Sequence, residues 1–199
     1  MQNSSAFMEF MLQTQAKGYQ KLQGYDDDLL KKLYPEERME VEDIIYKLFL
    51  NGDSQIAKFL PKLKQYNGVS LLDNKLKECK IPSGASVNYA IALYKGTYDS
   101  KYLVVVMDNI KFNNWNDRLS ILTLLQECKP KKELCKIFEK VCLEDENEIV
   151  RNCSANGVLY CKGLIKDIND STQKSKFREI RCKLASNDTE VRIETLKNL

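Results

Sequence analysis

The segment Asp145-Glu-Asn-Glu-Ile-Val-Arg-Asn-Cys-Ser-Ala-Asn-Gly-Val-Leu-Tyr160 determines how the rest of the chain is interpreted. It opens with acidic and polar residues, reaches an arginine at Arg151, and continues with aliphatic and small residues. Asp and Asn side chains accept hydrogen bonds from the first free N–H groups of a helix, so the opening is typical of an N-terminal cap. The segment therefore predicts a polar turn followed by a helix over residues 148–160.

Two more segments have the same order of polar turn, arginine and helix. They are Asp117-Arg-Leu-Ser-Ile-Leu-Thr-Leu-Leu125 and Glu190-Val-Arg-Ile-Glu-Thr-Leu-Lys-Asn-Leu199, and Val87-Asn-Tyr-Ala-Ile-Ala-Leu93 is a weaker copy. The arginines Arg118, Arg151 and Arg192 are separated by intervals of 33 and 41 residues. The longer interval contains a polar stretch, 166–175, which we interpret as an inserted loop. A period of this length is typical of arrays of helical pairs.

These segments resemble the HEAT repeat, a helix–turn–helix unit that stacks into a curved, right-handed solenoid. In the best copy Asp145 precedes Arg151 by six residues, which matches the family's spacing for pairs that form a ladder between neighbouring units. Residues 187–192 are a shortened version, and the copy at Arg118 keeps the arginine alone. We therefore expect Asp145, Arg118, Arg151 and Arg192 to be structural residues of a repeat rather than ligand-binding residues.

The resemblance covers residues 85–199 and fades over residues 1–80. It implies a single all-helical domain, 1–199, in which divergent N-terminal helices precede repeat-like helical pairs. A two-helix unit cannot bury its apolar face alone, and stacking supplies the missing cover. The alternative architecture is an irregular helical bundle in which arginines occur at helix starts by chance.

Composition also favours helices, because the chain has only 8 Gly and 4 Pro residues. The apolar run Tyr102-Leu-Val-Val-Val-Met107 fits a buried strand as well, but the sequence offers no partner strand, so we predict a helix. The acidic group over residues 36–43 follows Pro35 at a predicted helix start. We interpret its carboxylates as solvated residues that favour the positive end of that helix.

The first ten residues lack a basic start followed by a long apolar core, which predicts a protein without a signal peptide. The densest apolar run is too short to cross a bilayer, so we expect no membrane association and a cytoplasmic location. In that reducing compartment the seven cysteines are expected to be free thiols that serve as small apolar residues.

Histidine is absent from the sequence. Its absence removes the Ser–His and Cys–His nucleophile pairs, the histidine general bases and nearly all ordinary zinc, iron and copper sites. The glycines are isolated from one another, so no phosphate-binding glycine loop is present. We therefore predict no catalytic residues, no metal and no cofactor.

Candidate binding residues come from three places. Trp115, the only tryptophan, lies in a predicted polar turn beside Asn116, and exposed aromatic residues are enriched where proteins bind partners. Tyr98 and Tyr102 belong to a tyrosine-rich helical pair that should offer amphipathic contact area. A basic stretch near the C-terminus has the layout of either a phosphate-contacting helix or an ordinary solvated helix, and its candidate residues are Lys174, Lys176, Arg178 and Arg181.

The sequence points to a non-catalytic solenoid that binds another protein. By fold-level analogy, we expect the chain to be an immunity or inhibitor protein of a toxin–antitoxin type, which neutralises a toxin or an enzyme. The alternatives are an adaptor subunit of a larger complex and a DNA-binding protein similar to HEAT-like alkylpurine DNA glycosylases. The net charge of +3 implies no strong field for nucleic acid, so nucleic acid is the less favoured partner. The sequence predicts no oligomeric state.

Overall fold

The structure is a computed structural model, and it describes residues 3–18, 24–26 and 28–199. The described residues form helices and connecting segments without any strand, so the all-α prediction is confirmed. The run over 102–107 is helical, as predicted. None of the helices in these ranges is both long enough and apolar enough to cross a membrane. The chain divides into two compact units, residues 1–99 and residues 100–199.

The first unit contains five α-helices and one 3-10 helix among its described residues. They are α1 (Ser5–Gln15), α2 (Leu29–Lys32), α3 (Pro35–Leu50), the 3-10 helix η1 (Ser54–Lys62), α4 (Gly68–Glu78) and α5 (Gly84–Thr97). Helical spacing of Phe7, Phe10 and Met11 predicts a first helix from Ala6 to Tyr19; α1 ends at Gln15, and Tyr19 lies outside the described residues. The helix η1 packs against α3, α4 and α5 and buries Ile56, Phe59 and Leu60. Pro61 lies inside this helix, next to its last residue Lys62, and its missing N–H removes one helical hydrogen bond there.

Two glutamates of the predicted solvated group are buried in this unit, so that interpretation was wrong for them. Glu42 is 1% exposed, pairs with Arg38 at 2.7 Å and accepts the backbone N–H groups of Lys64 and Gln65. Glu37 accepts hydrogen bonds from both the backbone N–H and the hydroxyl of Ser4. These carboxylates attach distant segments to α3, because a buried charge is stable only when it is paired and hydrogen-bonded.

The second unit contains seven α-helices, all within fully described sequence. They are α6 (Lys101–Phe112), α7 (Trp115–Gln126), α8 (Lys132–Glu144), α9 (Glu148–Cys161), α10 (Ser171–Lys176), α11 (Arg178–Ala185) and α12 (Thr189–Lys197). The stretch 166–175 was predicted to be a loop, but its second half begins α10. Asp170 caps that helix by accepting the N–H groups of Thr172 and Gln173.

Helix α9 lies at the centre of the second unit. It packs against α7, α8 and α11, while α12 packs against α8 and α11, and α6 packs against α7 and α8. The core between these helices is aliphatic and aromatic. Its fully buried side chains include Leu122, Leu125, Leu134, Phe138, Val150, Val158, Leu159 and Leu184. Helices α7, α9 and α11 therefore form one layer of this unit, with α8 and α12 behind it.

Helices α9 and α8 approach each other closely within this core. A Cβ atom added at Gly157 would lie 2.4 Å from Cδ1 of Phe138, well inside van der Waals contact. Ser154, one turn earlier on α9, donates its hydroxyl to the backbone oxygen of Phe138 at 2.8 Å. The two helices can therefore pack at this distance only if residue 157 has no Cβ atom.

We predict that Gly157→Ala lowers the free energy of unfolding by about 1–3 kcal/mol, because the added methyl overpacks the Phe138 ring. This loss should exceed the gain of about 1 kcal/mol that alanine normally brings to a helix interior. Chemical denaturation measures the change. Gly84→Ala is the matched control, since a Cβ there meets no atom within 4 Å. A Gly157→Ala protein as stable as the parent would contradict this packing.

Candidate functional site

Three arginines lie in the first turns of α7, α9 and α12, and their guanidinium groups contact the ends of other helices. Arg118 Nη1 donates to the backbone oxygen of Asn113 at 3.3 Å, just beyond α6. Its Nε lies 3.0 Å from Asp145 Oδ2, and its Nη2 donates to Asp145 Oδ1 at 3.1 Å. The two side chains are only 13% and 6% exposed, so this ion pair is largely shielded from solvent.

Arg151 is 2% exposed and makes four hydrogen bonds. Its Nη1 donates to the backbone oxygens of Asp145 and Glu146, each at 2.9 Å, just beyond the C-terminus of α8. Its Nε donates to the backbone oxygen of Ala185, the last residue of α11, and its Nη2 donates to Asn187 Oδ1. One buried side chain thus joins the C-terminal ends of α8 and α11.

Arg192 joins the same two helix ends from the other side. Its Nη1 donates to the backbone oxygen of Ser186, after α11, and its Nη2 donates to that of Leu143, in the last turn of α8, at 3.0 Å. The last carbonyl groups of a helix lack partners within the helix and carry the negative end of its dipole. Guanidinium groups therefore stabilise the turns after α6, α8 and α11, and we call these three arginines the arginine edge.

The outer surface of the α7, α9 and α11 layer carries several predicted binding residues. Trp115 is 40% exposed in the first turn of α7 rather than in a turn, and Asn116 beside it is exposed. Arg178 is exposed and Arg181 half-buried, both on α11. We call this surface the α7–α9–α11 face. The structure thus places the tryptophan on α7 and the two arginines on α11, the helices that pack on either side of α9.

Polar side chains connect the three helices across this face. Gln126 on α7 donates to the backbone oxygen of Cys153 on α9 at 2.7 Å. On the other side of α9, Asn156 accepts a hydrogen bond of 3.5 Å from Arg181 Nη1 on α11. The sequence does not identify Gln126 and Asn156 as candidate site residues, because single Asn and Gln side chains on a helix form no motif.

Two grooves of the second unit are lined by predicted binding residues. The first, the Trp115 groove, is lined by Asn113, Asn114, Trp115, Arg118, Glu146 and Asn147. The second, the α9–α11 groove, is lined by Glu148, Ile149, Asn152, Arg178, Arg181 and Cys182, with Ala185 at its edge. Both grooves combine apolar surface with amide and charged groups, the mixture typical of protein recognition surfaces.

The other basic candidates are placed less uniformly. Lys174 is half-buried and Lys176 exposed, both on α10. Lys183, on α11, is paired with Glu179 at 2.7 Å. The predicted cluster therefore does not present all of its charges on one surface.

The two tyrosine candidates differ in exposure. Tyr98 is 46% exposed and follows α5 with a positive φ of 56°, in the first unit. Tyr102 is 5% exposed in the first turn of α6, and the Nζ of Lys101 lies 4.7 Å from its ring centroid. The ring of Tyr102 is buried, so it does not offer the exposed contact area that the sequence predicted.

Three of the cysteines, Cys142, Cys153 and Cys161, lie in surroundings that raise the pKa of the thiol. Burial raises the pKa of Cys142 to about 12, and burial likewise raises the pKa of Cys153. The pKa of Cys161 is raised first by burial and then by the adjacent thiol of Cys135. A nucleophilic cysteine needs a lowered pKa, so these three thiols are poorer nucleophiles than a free cysteine. Within the described ranges no group of three or more Cys, Asp or Glu side chains is arranged to hold a metal ion.

Comparison of the chain with family models, curated proteins and solved structures found no match.

We predict that Arg151→Ala lowers the free energy of unfolding by about 3 kcal/mol or more, because it leaves buried carbonyl groups without donors. Arg178→Ala is the matched control: no hydrogen bond or ion pair of Arg178 occurs among the described residues, so a change within about 0.5 kcal/mol is expected. Urea denaturation of both variants measures the difference. Equal effects of the two substitutions would show that the arginine edge does not stabilise the fold.

Proposed function

We propose that this chain is a non-catalytic protein-binding module and that it binds its partner through the α7–α9–α11 face. The observation that carries the proposal is the exposure of Trp115 on a helix layer that also presents Asn116, Asn152 and Arg178. Tryptophan and arginine are the residue types most enriched among binding hot spots. A layer of packed helices holds such side chains in fixed positions, which reduces the entropy lost on binding.

We further propose that the second unit is a HEAT-like stack, as the sequence resemblance implies. The contact between Arg118 and Asp145 supports this, because it joins an arginine of one helical pair to the turn of the next pair. In the first two pairs, α6 contacts α8 and α7 contacts α9. The third pair departs from this order, since α11 packs on α9 and α12 packs on α8. The polar stretch before α11 gives the chain the length to reverse that pair.

Two partner classes fall within this proposal. In one, the chain is an inhibitor that neutralises a toxin or an enzyme; in the other, it is an adaptor subunit of a larger complex. Both require a protein ligand on a rigid face, and the identity of the bound protein distinguishes them.

DNA binding is the second candidate, and the exposed Arg178 on the same face favours it. In a site similar to that of the alkylpurine DNA glycosylases, Asp117 would be the candidate acidic residue. Its carboxylate accepts the amide N–H of Asn114 at 2.7 Å, within the cap of α7. Glu148 and Glu179 also lie among the basic residues of this side and weaken its attraction for phosphates.

The test is affinity capture from the native cell lysate with the parent chain, Trp115→Ala and Phe112→Ala. We expect a stoichiometric protein that survives nuclease treatment and raised salt, and a loss of capture by Trp115→Ala of about tenfold or more. Phe112 is the matched control, because it is 69% exposed three residues away on α6, outside the α7–α9–α11 face. Recovery of nucleic acid that disappears with salt would refute the proposal and favour DNA binding. Equal losses for both variants would place the binding site elsewhere.

A further inference from the structure

The α9–α11 groove has a composition that selects one kind of ligand. Arg178 and Arg181 lie on one wall, one helical turn apart on α11, while Ile149 and Asn152 lie on the other wall, on α9. The apolar side chain of Ile149, in the first turn of α9, is 54% exposed to solvent. The groove therefore places two positive charges beside an exposed aliphatic side chain.

The two arginines of this groove have unused hydrogen-bonding capacity. Arg178 makes no hydrogen bond or ion pair with any residue that the structure describes. Arg181 makes one hydrogen bond, to Asn156 at 3.5 Å, and its enclosed Nε has no partner in the same part of the chain. A guanidinium group carries five N–H donors in a planar fork that matches a carboxylate. These two side chains therefore offer a binding position for acidic groups.

The surroundings favour a protein carboxylate over a nucleic-acid backbone. Glu148 forms part of the groove, and its charge disfavours a continuous row of phosphates more than a peptide whose few carboxylates can lie at the two arginines. Lys183, which would extend the positive surface along α11, is neutralised by Glu179 at 2.7 Å. Nucleic acid would also leave Ile149 against a polar backbone, whereas a peptide can bring an apolar side chain to it.

We propose that the α9–α11 groove binds an acidic segment of a protein partner. Carboxylates of that segment pair with Arg178 and Arg181, and an apolar side chain beside them covers Ile149. This inference rests on the proposed function and adds the chemistry of the partner to it. Charge pairs that are not fully buried contribute chiefly to association rate and specificity, and salt screens them. Binding of the acidic segment is therefore expected to weaken as the salt concentration rises.

The probe is a fluorescein-labelled peptide in which glutamates flank a leucine, titrated with the full chain and followed by anisotropy. We expect binding to be lost when every glutamate of the peptide is replaced by glutamine. The double variant Arg178→Gln/Arg181→Gln should bind the acidic peptide about tenfold or more weakly, because two partly exposed charge pairs of up to about fivefold each together reach that factor. Circular dichroism and the thermal midpoint check that the variant is folded.

Lys176→Gln/Lys183→Gln is the matched control, since it removes the same number of positive charges from the same segment outside the groove. We expect it to bind the peptide within about twofold of the parent, the scale of a screened surface charge. Equal weakening by the control and by the arginine variant would overturn the inference, because binding would then follow net charge alone. Tighter binding of a single-stranded or duplex oligonucleotide than of the acidic peptide would also overturn it.

The protein captured in the Trp115 experiment separates this inference from the proposed function. If that protein binds the chain and Arg178→Gln/Arg181→Gln leaves its affinity unchanged, the inference is wrong and the proposed function stands. If no protein is captured but the acidic peptide binds through the two arginines, the groove chemistry stands and the proposed function loses its support. Loss of the captured protein with the arginine variant, but not with the lysine variant, supports both.

Discussion

The second unit depends on the hydrogen bonding of helix ends that lie partly buried against one another. A helix leaves its last carbonyl groups without partners, and burying them unpaired is costly. Arg151 removes this problem for α8 and α11 at once, because its guanidinium donates to the backbone oxygens of Asp145, Glu146 and Ala185. Arg192 approaches the same ends, and Arg118 does so for α6. The three arginines therefore hold the turns after α6, α8 and α11 together.

The α7–α9–α11 face follows from this edge. Once the arginines hold the turns, α9 packs closely on α8 through two small residues, Gly157 and Ser154. The outward positions of α7 and α11 are then free to carry side chains that do not contribute to the core, such as Trp115 and Arg178. This separation of structural arginines from surface arginines links the fold to the proposed binding function, because the rigid edge holds the face in one shape.

Helix positions could be predicted from the sequence because their signals are local. Side chains such as Asn147 accept the first N–H groups of the helix that they precede. What failed depended on long-range packing. Tyr102 looks like exposed contact area in the sequence but packs into the core, and Glu42 looks solvated but holds segments more than twenty residues away. The α9–α11 groove was missed for the same reason: nothing in the local sequence brings Asn152 next to Arg181.

The most direct test of this account is a double-mutant cycle between Arg118 and Asp145, which join one helical pair to the turn of the next. Urea denaturation of Arg118→Ala, Asp145→Ala, the double variant and the parent gives the coupling free energy between the two side chains. Because both are largely shielded and make two nitrogen–oxygen contacts of 3.0 and 3.1 Å, we expect a coupling of about 1–3 kcal/mol. A coupling within about 0.3 kcal/mol of zero would show that the pair does not tie the turns together, and it would contradict the arginine edge as the basis of the fold.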